Sequence, residues 1–98
     1  VRYAEIADFI NLGGETTEEK VALLVAELKK MNEALNIPKG IFEYEGGIID
    51  EKEFLEKLPN VAELAIGDAC TGSNPRQPSQ EDMEKLLKAC YYGEDIDF

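Results

Sequence analysis

Apolar residues that return every third or fourth position restrict this chain more than any other feature. Val21, Leu24, Leu28, Met31 and Leu35 follow that spacing, while Glu27, Lys29, Lys30 and Glu33 fall largely on the opposite side. The pattern predicts a long amphipathic helix from about Thr17 to Leu35, close to 30 Å at 1.5 Å per residue, with a stripe spaced for a core. Thr16-Thr17-Glu18-Glu19 opens it with capping-box spacing and with acids where the helix dipole favours them. Pro38 stops it and disfavours helix at Ile37.

The rest of the chain repeats this grammar. Ile6, Ala7, Phe9 and Ile10 among Arg2, Glu5 and Asp8 predict a helix over residues 1–12, ended by Gly13-Gly14. Ile41 to Gly47 alternates briefly and reads as an extended, strand-like link too short to make a sheet. Asp50 caps a short helix carrying Phe54, Leu55 and Leu58; Pro59 interrupts it, and Asn60 caps another through Val61, Leu64, Ala65 and Ile66. Ser79, with Asp82 three residues on, caps a last helix with Met83, Leu86, Leu87, Cys90 and Tyr91 on one face. Gly93 ends that helix, and Glu94 to Phe98 reads as a frayed acidic tail. The expectation is an all-α, bundle-like unit of about five helices. No repeat, low-complexity tract or long linker divides the 98 residues, which suit one compact domain.

Charge narrows the function. With 21 Asp plus Glu against 10 Lys plus Arg, the chain repels polyphosphate and anionic lipid, which argues against nucleic acid and membrane as partners. No apolar run approaches a membrane span and no basic-then-apolar start marks a secretion signal. Two unevenly spaced cysteines do not form a disulfide framework, so the expected location is cytoplasmic. There is no His, hence no Ser-His or Cys-His pair, no conventional transition-metal site and no side chain with an ordinary pKa near neutrality. The acidic clusters lack the spacing of a calcium loop and read as solvated faces. The paired glycines belong to no nucleotide-binding loop.

One stretch carries more information than its neighbours. Asp68-Ala69-Cys70-Thr71-Gly72-Ser73-Asn74-Pro75-Arg76-Gln77-Pro78 is a non-helical joint between two patterned segments. Gly72 and Pro75 hold it out of a helix, so a thiol, a hydroxyl, an amide and a guanidinium are presented together. As a plain connection, Ser73 and Asn74 satisfy local backbone groups and Arg76 pairs with one of many carboxylates. Cys90 reads as a small core residue, whereas Cys70, at a helix end, is placed to line something.

The string Cys-Thr-Gly-Ser-Asn-Pro-Arg, with Asp68 before it, resembles the C-terminal signature of the iron-containing alcohol dehydrogenases, which is followed by a final helix. Val1 to Ala7 resembles the family segment after its metal-binding region, and Leu35-Asn36-Ile37-Pro38 resembles its Gly-Ile-Pro turn. Tyr91-Tyr92-Gly93 is similar to the butanol dehydrogenase and bifunctional aldehyde-alcohol dehydrogenase branches. The three segments come in the family's order, so the likeness covers essentially residues 1–98. It implies a piece of the helical, dehydroquinate synthase-like C-terminal domain of a much longer enzyme. A start at Val1-Arg2-Tyr3 inside a helical pattern, without Met, agrees with that expectation.

The resemblance also implies chemistry that this chain does not hold by itself. The family binds NAD or NADP in an N-terminal α/β domain and Fe(II), or in some members Zn(II), through one Asp and three His. Hydride then moves between the nicotinamide and an alcohol or aldehyde. No metal ligand, cofactor contact or catalytic group is therefore expected in these residues, and the isolated piece is expected to be inactive. Cys70 matches the family's cysteine beside the substrate pocket; Thr71, Asn74 and Arg76 match positions that organise the loop. The implied partners are the remainder of the dehydrogenase and its alcohol or aldehyde substrate, with self-association expected of the isolated piece through uncovered apolar faces. The alternative reading is a stand-alone acidic helical interaction module without chemistry.

Overall fold

The computed structural model describes all 98 residues, Val1–Phe98, and contains helices and turns without a strand. In order these are α1 (Arg2–Phe9), α2 (Thr17–Ala34), a 3-10 segment (Ile41–Gly46), α3 (Glu51–Gly67), a 3-10 turn (Thr71–Ser73) and α4 (Gln80–Tyr92). The all-α class is as the periodicity predicts. The residues form two compact units, 1–37 and 38–98.

In the first unit, α1 and α2 make a helical hairpin. Thr16 closes a capping box with Glu19: its hydroxyl accepts the Glu19 amide at 3.2 Å while the Glu19 carboxylate accepts the Glu15 and Thr16 amides at 2.8 and 3.2 Å. The end of α1 differs from expectation, because Asn11 turns the chain before Gly13-Gly14 is reached. At φ 56° it lets the Leu12 amide reach the Ala7 carbonyl and its own amide reach that of Asp8, a left-handed helix stop. Asn36, at φ 57°, ends α2 in the same way. Lys20 then ties the helices, its Nζ lying 2.9 Å from Asp8 Oδ1 and 3.0 Å from Oδ2.

The α2 stripe is only partly covered. Ala4, Ala7 and Leu24 are buried and Val21 half-buried, but Leu28, Met31 and Leu35 are 52, 54 and 64% exposed. The lengths explain this: eight residues of α1 span about 12 Å and eighteen of α2 about 27 Å. The shorter helix covers one half of the longer.

In the second unit α3 packs on α4, with Leu58, Ala62, Met83, Ala89 and Tyr91 buried. Pro59 does not break α3, which runs unbroken from Glu51 to Gly67. A proline inside a helix costs about 3 kcal/mol, while full burial of one leucine contributes roughly 2 kcal/mol. Leu58 and Ala62, 3 and 0% exposed on consecutive turns, hold the helix on both sides of Pro59 to the same partner. Packing therefore overrides the local preference. Residues 41–46 are likewise not extended: two tight turns meet at Tyr44 and Glu45, the latter at φ 44°.

A backbone crossing fixes α4. Gly40 lies so close to the end of α4 that a Cβ there would sit 2.5 Å from the Tyr91 carbonyl oxygen and 2.6 Å from the Gly93 nitrogen. From that point the Tyr91 ring stacks on Phe54 with centroids 4.3 Å apart, and its hydroxyl donates to the Ile49 carbonyl at 2.9 Å. Cys90, expected in the core, is exposed, because Ala89 and Tyr91 take the inward directions. Gly40→Ala is expected to lower stability by about 1–3 kcal/mol through overpacking against backbone. Gly67→Ala, in open space at a helix end, is expected to raise it by about 0.5 kcal/mol. Urea unfolding followed by circular dichroism measures both.

Candidate functional site

The joint between α3 and α4 is a self-bonded loop. Its first turn is set by Asp68, whose carboxylate accepts the Cys70 amide at 2.7 Å and whose carbonyl accepts that of Thr71 at 3.1 Å. Half-buried Thr71 donates its hydroxyl to the Ala65 carbonyl at 2.6 Å, which gives that acceptor a second, shorter bond beside the one from the Asp68 amide at 3.4 Å. The Ser73 hydroxyl donates to the Cys70 carbonyl at 2.7 Å. Asn74 Nδ2 donates to the Arg76 carbonyl, and Gln77 Nε2 donates to the carbonyls of Gly72 at 3.1 Å and Asn74 at 2.7 Å. Side chains thus bind the loop to itself wherever helix geometry is absent.

Arg76 reaches further. Its Nη1 donates to the Phe98 main-chain oxygen at 2.7 Å, its Nη2 lies 3.9 Å from Asp82 Oδ1, and its guanidinium stands 5.9 Å from the Phe98 ring centre. Asp82 is also committed to α4: it closes a capping box with Ser79, each accepting the other's amide at 3.1 Å. Those hydrogen bonds, from the Ser79 amide first and its side chain second, hold the Asp82 carboxyl below its ordinary value of 3.8, with smaller help from Arg76 and Lys85.

Cys70, Thr71, Asn74 and Arg76 all border one groove of about 510 Å³ beside α4, completed by Pro78, Asp82, Met83, Leu86, Ile96 and Phe98. Cys70 is exposed there. Arg76 is engaged outward, towards Phe98 and Asp82, more than into the loop. Gln77, which ties the loop to the Gly72 and Asn74 carbonyls, carries only a generic turn signal in the sequence, whereas Asp68 stands in the signature without an assigned role. Ile96 and Phe98 belong to the segment expected to fray, yet they form one side of the groove. The groove offers apolar contact, a thiol and a fixed rim, which suits a pocket wall.

The family model described as "Fe-containing alcohol dehydrogenase family, C-terminal" matches residues 1–91. The chain belongs to the iron-containing alcohol dehydrogenase family. It is 46% identical over 97 residues to an NADPH-dependent butanol dehydrogenase of Clostridium saccharobutylicum, covering 99% of this chain and 24% of that protein. It is 43% identical over 90 residues to an aldehyde-alcohol dehydrogenase of Clostridium acetobutylicum (92% of this chain, 10% of that one). It is 41% identical over 96 residues to the bifunctional aldehyde-alcohol dehydrogenase AdhE of Escherichia coli (96 and 10%). The chain therefore spans about a quarter or a tenth of the length of these relatives.

Within the family framework, the residues present do not fit an iron site. The chain has no His, and no group of three or more Cys, Asp or Glu side chains is gathered to hold a metal ion. No helix is long and apolar enough to cross a membrane. The Asp82 arrangement makes a pH prediction. Its folded pKa is depressed, so the stability it contributes is present above the ordinary aspartate range and is lost as pH falls through the folded pKa. A carbon-13 titration is expected to place the Asp82 carboxyl below 3.8 and to move it only part of the way back in Ser79→Ala, which removes the hydroxyl contribution and keeps the larger one from the amide. An unchanged titration in the variant contradicts the assignment.

Proposed function

We propose that the chain is the helical C-terminal part of an NAD(P)-dependent, iron-containing alcohol dehydrogenase that interconverts alcohols and aldehydes. The observation that carries the reading is the family match over residues 1–91, joined to a signature loop that its own side chains hold together. The name of the 46%-identical relative favours NADP(H) as coenzyme and butanol or a similar short alcohol as substrate. Metal, coenzyme and proton-handling groups belong to residues outside this chain. Its own contribution is one wall of the substrate pocket: Cys70 touches the substrate by contact and shape, and Thr71, Asn74 and Arg76 keep the loop in position.

The uncovered helix faces support the same reading. Leu28, Met31 and Leu35 on α2, with Phe9 at 87% and Leu64 at 67% exposure, leave more apolar surface open than a finished small domain tolerates. In the complete dehydrogenase these faces pack against its remaining helices. In the isolated chain they promote self-association, which sedimentation velocity measures as a concentration-dependent mass; a monodisperse monomer contradicts it.

A chimera provides the functional test. Replacing the corresponding stretch of the C. saccharobutylicum enzyme by these 98 residues is expected to retain NADPH-linked butanol activity within about tenfold. That factor corresponds to about 1.4 kcal/mol in the barrier. A folded, metal-loaded but inactive chimera contradicts the proposal. In the same background Cys70→Ala is expected to change the preference among alcohol chain lengths by several-fold in kcat/KM while turnover persists. Complete loss of turnover with metal still bound contradicts a contact role.

A further inference from the structure

The family match ends at Tyr91, yet the residues after it return to the signature loop. Gly93, at φ 69°, ends α4 in a left-handed turn in which the Glu94 amide reaches back to the Ala89 carbonyl at 2.9 Å. This reverses the chain and carries Ile96 and Phe98 to the groove that Cys70 and Thr71 border. There Phe98 is held from two elements. Arg76, from the loop, donates to its main-chain oxygen at 2.7 Å and stands 5.9 Å from its ring centre; Lys85, from α4, places Nζ 5.8 Å from the same ring. Both cations are within the distance at which a ring face attracts them. Lys85 is ion-paired to Glu81 at 2.7 Å, and Asp97 of the segment adds to the negative charge around it.

We infer that residues 93–98 are a strap, latched at Phe98 by Arg76 and Lys85, that forms a movable wall of the Cys70 groove and steadies the loop behind it. The strap has no helix of its own to hold it, and Ile96 is 52% exposed. Release thus needs only the latch to break, and it leaves the hydrogen bonds of the loop behind it without outer support. Arg76 then has two tasks, one within the signature and one for a segment beyond the family match. The inference concerns how this chain folds on itself and stands whether or not the dehydrogenase reading holds.

The chain has no Trp, so Phe98→Trp installs a single reporter at the latch. In the 98-residue chain its emission is expected to be blue-shifted from that of free tryptophan and shielded from acrylamide. Arg76→Gln added to it should raise the quenching constant at least twofold with unchanged helix content, and 1 M NaCl should act in the same direction. Amide hydrogen exchange checks the native ring: Phe98→Ala is expected to speed exchange of the hydrogen-bonded Thr71, Ser73 and Asn74 amides by fivefold or more. A solvent-exposed indole from the outset, no response to Arg76→Gln, or unchanged exchange in Phe98→Ala each overturns the strap.

Discussion

Gly40 and Gly93 bring two backbones together where no side chain fits between them: a Cβ on Gly93 would lie 2.7 Å from the Lys39 carbonyl oxygen, as one on Gly40 would meet Tyr91. Everything in the second unit follows from that approach. It sets where α4 ends, and therefore where Tyr91 enters between Phe54 and the Ile49 carbonyl. Tyr92, beside it, packs edge-on against Tyr91 and donates to the Glu51 carboxylate at 2.8 Å. With the far end of α4 pinned and its start closed by the Ser79–Asp82 box, the loop from Asp68 to Pro78 is held between two fixed helices. A wall whose shape matters is better made from such a loop than from a freely moving one.

Much of this order is legible in the sequence because it is written in local chemistry. Caps are short-range hydrogen bonds, and Thr16, Asp50 and Ser79 each accept the amide three residues on, as their spacing requires. Differences arise where a distant partner decides. Pro59 reads as a break until Leu58 and Ala62 are seen buried on one side of α3. Asn11 and Asn36 take the left-handed turns usually read from glycine, and Gly13-Gly14, just after Asn11, carries the stronger stop signal. Cys90 fits the apolar period of α4, but it lies on the margin of a face that Ala89 and Tyr91 already fill. The return of Ile96 and Phe98 to the groove depends on Arg76 and Lys85, which no pattern within five acidic and apolar residues reveals.

The site shows a similar division. Composition and motif indicate which residues form the loop, and geometry explains why each is needed: Asp68 and Thr71 fasten its start to α3, Asn74 and Gln77 close its middle, and Arg76 leads outward to α4 and Phe98. Their hydrogen-bonding capacity is spent on one another, which is what a positioning element requires. The open apolar stripe of α2 accords with a chain that spans only about a quarter or a tenth of the length of its relatives.

That account turns on where Cys70 lies in the complete enzyme. A crystal structure of the full-length dehydrogenase carrying this chain, loaded with iron and NADPH, tests it directly. The account predicts the Cys70 thiol on the wall of the cavity that holds the metal and the nicotinamide ring, with Leu28, Met31 and Leu35 buried against other helices of the same enzyme. A thiol facing bulk solvent on the opposite side of the molecule, with the α2 stripe still uncovered, would contradict it.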